Sequence, residues 1–258
     1  MRQILGIIRI LVVFITIVGG VLILSLGKPV FSRETSNAIF YHFKRFILWV
    51  VGIRIHGEEF EGLEPGLIVA NHRSYLDAIF VPTKQTIVMV AKQEVKNWPL
   101  IGMAATTLGT IWVKRENKES RLATRGYILN KIQDGERVVL FPEGTSWEGP
   151  QMLPLKPAMF YEAADHGFPI YQWSLHFDSA KTAFPIGINF VQHLWTICTE
   201  WRINAYIRVR KMPLQGTNGD ILLEDAKTWW KNSLAELDSL HPATDSGYWP
   251  DDRLTALK

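Results

Sequence analysis

A histidine and an aspartate five positions apart, His72 and Asp77, are the side chains of this sequence best suited to chemistry. They lie in Asn71-His72-Arg73-Ser74-Tyr75-Leu76-Asp77, directly after the apolar run Leu67-Ile68-Val69-Ala70. A neutral imidazole can take a hydroxyl proton through one nitrogen. A carboxylate on the other N–H fixes the tautomer and stabilises the imidazolium that forms. Histidine suits the task because its ordinary pKa lies near neutrality. A dyad of this kind needs no serine, because the substrate's own hydroxyl is the nucleophile. Taken alone the spacing is a weak signal, and a surface pair or an aspartate capping a helix is the commoner reading. A second cluster, Phe141-Pro142-Glu143-Gly144-Thr145-Ser146, closes another apolar run about seventy residues on.

Other chemistries find less support. The fragment Gly144-Thr145-Ser146-Trp147-Glu148-Gly149 has one residue too many for a nucleophile elbow. The seven histidines are scattered, with no HExxH and no cysteine pair, so a metalloenzyme is not indicated. The single cysteine, Cys198, excludes an internal disulfide and reads as a small buried hydrophobe. Lys114 and Arg115 follow a short apolar run. Arg115 offers a planar fork to a phosphate and Lys114 a point charge. Arg121 and Arg125 either extend that basic face or belong to a solvated helix balanced by Glu116 and Glu119. Glu143 cannot attract a phosphate; it accepts bonds from a hydroxyl or positions a basic side chain. Gly144 would let backbone N–H groups approach an oxyanion.

In order and spacing these blocks resemble the PlsC-type lysophosphatidic acid acyltransferase family over about residues 55–214. The resemblance implies His72 as base and Asp77 as its partner. Gly109-Thr110-Ile111-Trp112-Val113-Lys114-Arg115 looks like the family's second block, which implies that Arg115, with Lys114, binds the acceptor phosphate. The block Phe141–Ser146 implies that Glu143, Gly144 and Thr145 shape the acceptor site. Ala91-Lys92-Gln93-Glu94, Trp98-Pro99-Leu100-Ile101-Gly102 and Arg208–Leu214 also look like the family. The implied reaction moves an acyl group from acyl-CoA or acyl-carrier protein to 1-acylglycerol-3-phosphate, giving phosphatidate, with no bound cofactor or metal. Another lysolipid is the alternative acceptor. The fourth block departs: Phe168-Pro169-Ile170-Tyr171-Gln172-Trp173 has Gln172 where the family carries a second proline. Residues 174–200 have no counterpart, which bears on acceptor choice and leaves open a lid. The rival of a different class is a non-catalytic lipid-binding protein, which would have no use for the dyad.

These residues need elements to hold them. Candidate strands cover 67–70, 86–91, 110–113, 137–141, 168–173, 187–191 and 203–210, and candidate helices begin near Ser74, Trp98, Lys118, Lys156 and Asp220. The alternation predicts an α/β fold with a mixed, largely parallel sheet flanked by helices, and functional groups at strand carboxyl ends. At 258 residues and 47% hydrophobic, the chain can bury one sizeable core. Residues 10–26 carry no charge, and the apolar stretch reaches back to Ile4 if Arg9 snorkels to headgroups. A membrane anchor is expected there, with a cleaved signal peptide as competitor. Residues 37–53 read as an interfacial helix with His42, Lys44 and Arg45 toward headgroups, or as a helix packed on the core. Lys28, Arg33, Lys44 and Arg45 follow the first segment against Arg2 and Arg9 before it, favouring a cytoplasmic catalytic domain. A net charge of +3 suits membrane lipids and phosphate-bearing substrates and is too weak to imply nucleic acid. The expected organisation is 1–55 anchoring helices, 56–240 acyltransferase domain and 241–258 a loose tail.

Overall fold

In the computed structural model, residues 1–27, 29–98, 101–148, 152–185, 187–214 and 218–245 are described. Pro99, Leu100, Gly149 and most of the expected tail therefore lie outside the described residues. Seven strands form one sheet in the order β1-β7-β6-β2-β5-β3-β4. They are β1 (Ile53–Gly57), β2 (Gly66–Ala70), β3 (Val88–Lys92), β4 (Ile111–Val113), β5 (Arg137–Leu140), β6 (Ile170–Phe177) and β7 (Ile203–Lys211). The five strands from β6 to β4 are mutually parallel. β7 runs antiparallel to β6, and β1 parallel to β7.

β2 is buried along its whole length, as a strand paired on both sides and covered on both faces must be. Its side chains alternate between two cores. Ile68 and Ala70 join Val13, Leu48, Ile197 and Cys198, from α1 (Arg2–Gly27), α2 (Arg33–Val50) and α6 (Phe190–Thr199). Leu67 and Val69 join Ile128, Phe160 and Trp230, from α4 (Lys118–Gln133), α5 (Ala158–His166) and α7 (Gly219–Leu240). A short α3 (Ile101–Thr107) precedes β4. β6 alternates likewise: Tyr171, Trp173, Leu175 and Phe177 point to the first core. Gln172 and Ser174 bond to Ala226 and Ser233 of α7.

One expected strand is corrected, and two segments without a sequence assignment find their place. Residues 187–191 are not a strand: Asn189 and Gln192 form a reciprocal capping box that starts α6. β1 was not expected, and it straddles the 55/56 boundary to pair with β7. The unmatched residues 174–200 divide into the far half of β6 and α6.

The N-terminal helices also differ from the snorkelling picture. Arg9 is buried and donates to the Cys198 carbonyl at 3.1 Å, to that of Trp201 at 3.2 Å and to that of Glu200. It thus satisfies carbonyls that the end of α6 leaves open. Gly6 makes the close approach possible, since a Cβ there would stand 2.8 Å from the Thr199 methyl. Lys44 turns inward and donates to the Val81 carbonyl at 2.9 Å. The outer face of α1 leaves Ile4, Ile8, Leu11, Phe14 and Ile15 exposed, and Trp49 of α2 and Val191 of α6 are exposed too. Among the described residues, α1 is the one helix long and apolar enough to cross a membrane.

Candidate active site

His72 and Asp77 lie past the carboxyl end of β2, and Glu143 past the end of neighbouring β5. Asn71 closes the strand end: its side chain donates to the Leu175 carbonyl at 2.9 Å and accepts from the Leu175 N–H at 2.8 Å. This amide copies a strand partner's two backbone bonds and ties the β2 exit to β6. Ser74 then caps a 3-10 turn, Tyr75–Ile79, with Asp77 answering from the third position. The aspartate that caps this turn is also the one that bonds to His72, so a single carboxylate serves the cap and the histidine.

Asp77 is fully buried. Its Oδ2 accepts from His72 Nδ1 at 2.9 Å, from the Arg73 N–H at 2.5 Å and from the Ser74 N–H at 2.8 Å. Oδ1 has no partner among the described residues. In the neutral imidazole, Nδ1–H donating to the carboxylate leaves the lone pair on Nε2. The imidazole lies flat on Phe141, ring centres 4.1 Å apart and 16° from parallel, with 13% of the side chain exposed. Among the described residues no hydroxyl or thiol bonds to Nε2. Cys198 is buried in the α1–α6 core, where burial pushes its thiol up to about 11. It is no nucleophile.

Glu143 does something the sequence did not reveal. Oε1 accepts from the His72 main-chain N–H at 2.6 Å, and Oε2 from the Leu153 N–H at 2.8 Å. Only 4% of it is exposed, and burial raises its pKa to about 7 against the lowering by those two N–H bonds. A carboxylate so engaged clamps the His72 loop to the loop entering α5. The Trp147 N–H adds a second tie, to the His72 carbonyl at 3.1 Å. Gly144 turns the chain at φ +78°, in the region that favours glycine. Thr145 is exposed, with its hydroxyl 3.4 Å from the Ser146 carbonyl.

Arg115 follows β4, at the same sheet edge but three strands from β2, roughly 14 Å across at the usual strand spacing. It is partly buried, which lowers its pKa, while Glu116 and Glu94 act the other way. Among the described residues no carboxylate lies within ion-pair distance of its guanidinium. Lys114 is exposed beside it. Arg125 instead pairs with Glu162 at 3.1 Å, and Arg121 donates to the Arg115 carbonyl at 2.5 Å. Those two helix positions are structural. No group of metal-ligating side chains occurs among the described residues. The sites at His72, Asp77 and Glu143 are brought together; Arg115 and Lys114 form a separate positive station. The clamping donors of His72 and Leu153 belong to the main chain, and no side-chain pattern could have announced them.

Residues 52–175 match the family model described as Acyltransferase. A lyso-ornithine lipid O-acyltransferase of Rhizobium meliloti (strain 1021) is 37% identical over 155 residues, covering 59% of this chain and 48% of that protein. A 1-acyl-sn-glycerol-3-phosphate acyltransferase of Neisseria gonorrhoeae is 31% identical over 136 residues, 51% of this chain and 53% of that one. The chain spans about half the length of the curated relatives it matches. The crystal structure of a 1-acyl-sn-glycerophosphate acyltransferase, PlsC, from Thermotoga maritima has the same fold. It aligns with a TM-score of 0.71 at 17% identity, over 92% of this chain and 98% of that one.

Proposed function

We propose, from the match of residues 52–175 to the acyltransferase family model, that this chain is a membrane-held lysolipid O-acyltransferase with His72 as its base. The acceptor hydroxyl loses its proton to His72 Nε2 as its oxygen bonds to the thioester carbonyl carbon. The carbon–sulfur bond then breaks, and the imidazolium returns the proton to the departing thiolate. Asp77 stabilises the imidazolium in between, and Glu143 holds the His72 main chain in position.

The dyad's geometry carries this reading: a buried carboxylate on Nδ1 and, among the described residues, an unbonded Nε2 with no protein nucleophile beside it. The donor is an acyl-CoA or acyl-carrier-protein thioester. For the acceptor, 1-acylglycerol-3-phosphate is supported by Arg115, a partly buried cation with no bonded carboxylate among the described residues and a matching fork for phosphate. A second acceptor, a lyso-ornithine lipid, is favoured by the 37% identity to the Rhizobium protein. The apolar outer face of α1 supports membrane attachment, and the excess of cations after α1 supports a cytoplasmic catalytic face.

Thiol release from acyl-CoA by the full chain in detergent, with each lysolipid in turn, tests the proposal. Release that depends on lysophosphatidic acid and disappears in His72→Ala supports base and acceptor together. Release only with lyso-ornithine lipid keeps the chemistry and changes the acceptor. Lysolipid binding without turnover from either donor would make this a lipid-binding protein.

A further inference from the structure

A cleft of about 770 Å³ opens beside the dyad past the carboxyl end of the sheet, with α7 along one wall and the end of β6, Leu175 to Phe177, along another. It reaches Asn71 and Arg73, the two neighbours of His72, and Leu153, whose N–H bonds to Glu143. Its floor is apolar, with Met152, Leu155 and Leu234. One wall is α7, where Lys227, Lys231 and Asp238 carry charge and Leu234 lies between them. Those positions fall at i, i+4, i+7 and i+11, one stripe of the helix, about 16 Å long at 1.5 Å per residue. The stripe has a direction. Asp238 is at the end where the Arg73 guanidinium feels its charge, and the two lysines are at the far end. Lys227 and Lys231 are exposed, and among the described residues the ion pair of Lys227 is with Glu224 on its own helix, at 3.2 Å. Such an exposed pair is weak enough for a phosphate to displace.

The occupant must suit a positive far end, an apolar middle and a terminus beside His72. It must also reach the cleft from water. α7 packs on the core opposite to the one formed with α1 and α2, whose outer apolar faces suit lipid. A lysolipid arriving from the bilayer comes from that other side. Building on the acyltransferase reading, we propose that the α7 cleft holds the phosphopantetheine arm of the acyl donor, with its phosphate on Lys227 and Lys231 and its thioester at Asn71–Arg73 beside His72. The arm, with its two amides, has about the reach of five residues of extended chain, which matches the stripe. Coenzyme A and acyl-carrier protein share this arm, so the cleft chemistry serves either source.

The test is equilibrium binding to the full chain in detergent, which needs no turnover. Coenzyme A, pantetheine and a holo acyl-carrier protein are titrated into wild type and the Lys227→Gln/Lys231→Gln double variant. Both lysines are exposed, so thermal unfolding should not move. Dissociation constants for coenzyme A, for the carrier protein, or for both are expected to rise about tenfold, while that for pantetheine, which lacks the phosphate, stays the same. Which of the two binds wild type identifies the source. Unchanged binding in the double variant, equal weakening of pantetheine, or no binding of either carrier to wild type would overturn the assignment. A variant whose KM rises for the lysolipid and not for the donor would hand the cleft to the acceptor. Carrier binding with no acyl transfer by wild type would instead count against the acyltransferase reading alone.

Discussion

Replacing Asp77 by asparagine separates charge from shape at the dyad. All three donors that reach the carboxylate, His72 Nδ1, Arg73 N and Ser74 N, converge on Oδ2. An amide oxygen in the Oδ2 position keeps all three bonds. The amide nitrogen then takes the place of Oδ1, which is already without a partner among the described residues. One unpaired polar atom replaces another, so the fold should change by less than about 1 kcal/mol, or about 2–4 °C in Tm for a chain of this size. The negative charge is lost. At a charge separation of about 4 Å and an effective dielectric of about 20, its attraction for the imidazolium is about 4 kcal/mol. Part of that is recovered by solvation, so kcat should fall about 100- to 1,000-fold with substrate KM values unchanged. Asp77→Ala is the control: it strands two buried N–H groups, costs roughly 1–3 kcal/mol for each, and should unfold at clearly lower denaturant. Steady-state acyl transfer and urea unfolding of the three proteins decide the matter. An asparagine variant within threefold of wild type would mean that the carboxylate's charge is not used. Equal destabilisation of both variants would mean that the isosteric accounting is wrong.

Glu143 should give stability a characteristic pH dependence. Its folded pKa, about 7, lies above the ordinary 4.5, so its contribution is fully present below 4.5 and is lost as pH rises through 7. Wild type should lose up to about 3 kcal/mol relative to Glu143→Gln across that window, and a constant difference would refute the assigned burial. Arg9→Met removes the donors that finish α6, and amide exchange across Phe190–Thr199 should quicken by the equivalent of about 1–3 kcal/mol. Unchanged protection there would mean that Arg9 does not hold α6. Gly144→Ala forces a Cβ into φ +78° at a cost of about 1–2 kcal/mol, read as a lower Tm, whereas an unchanged Tm would show the turn relaxing.

The dyad was legible because its two residues are close in sequence and follow a strand whose unbroken Leu67-Ile68-Val69-Ala70 marks it as buried on both faces. The parallel centre of the sheet was legible for the same reason. What stayed hidden depended on contacts between distant segments. Arg9 read as a snorkelling cation, because nothing local to residue 9 says that the carbonyls of 198–201 will end beside it. Residues 187–191 read as a strand from Ile188, Phe190 and Val191, yet the Asn189–Gln192 capping box was there to be seen and should have outweighed them. β1 could have been found from Ile53 and Ile55 alternating ahead of Gly57. Its partner could not, because pairing with β7 joins positions about 150 residues apart.

The register of β2 has a consequence for chemistry as well as for packing. Side chains on a strand alternate, so the residues leaving β2 are dealt to opposite sides of the sheet end. His72 follows Ile68 and Ala70 toward the core that α1 and α2 cover, and there it stacks on Phe141, which packs against that same core. Asn71 and Arg73 fall to the cleft beside α7. A slip of one residue would exchange the two and turn the imidazole toward the water-facing cleft. The five buried residues of β2, paired on one side to β5 and on the other to β6, hold that choice fixed. The base proposed for this chain stands where one strand ends between two differently covered faces, and the burial of residues 66–70 is what keeps His72 there.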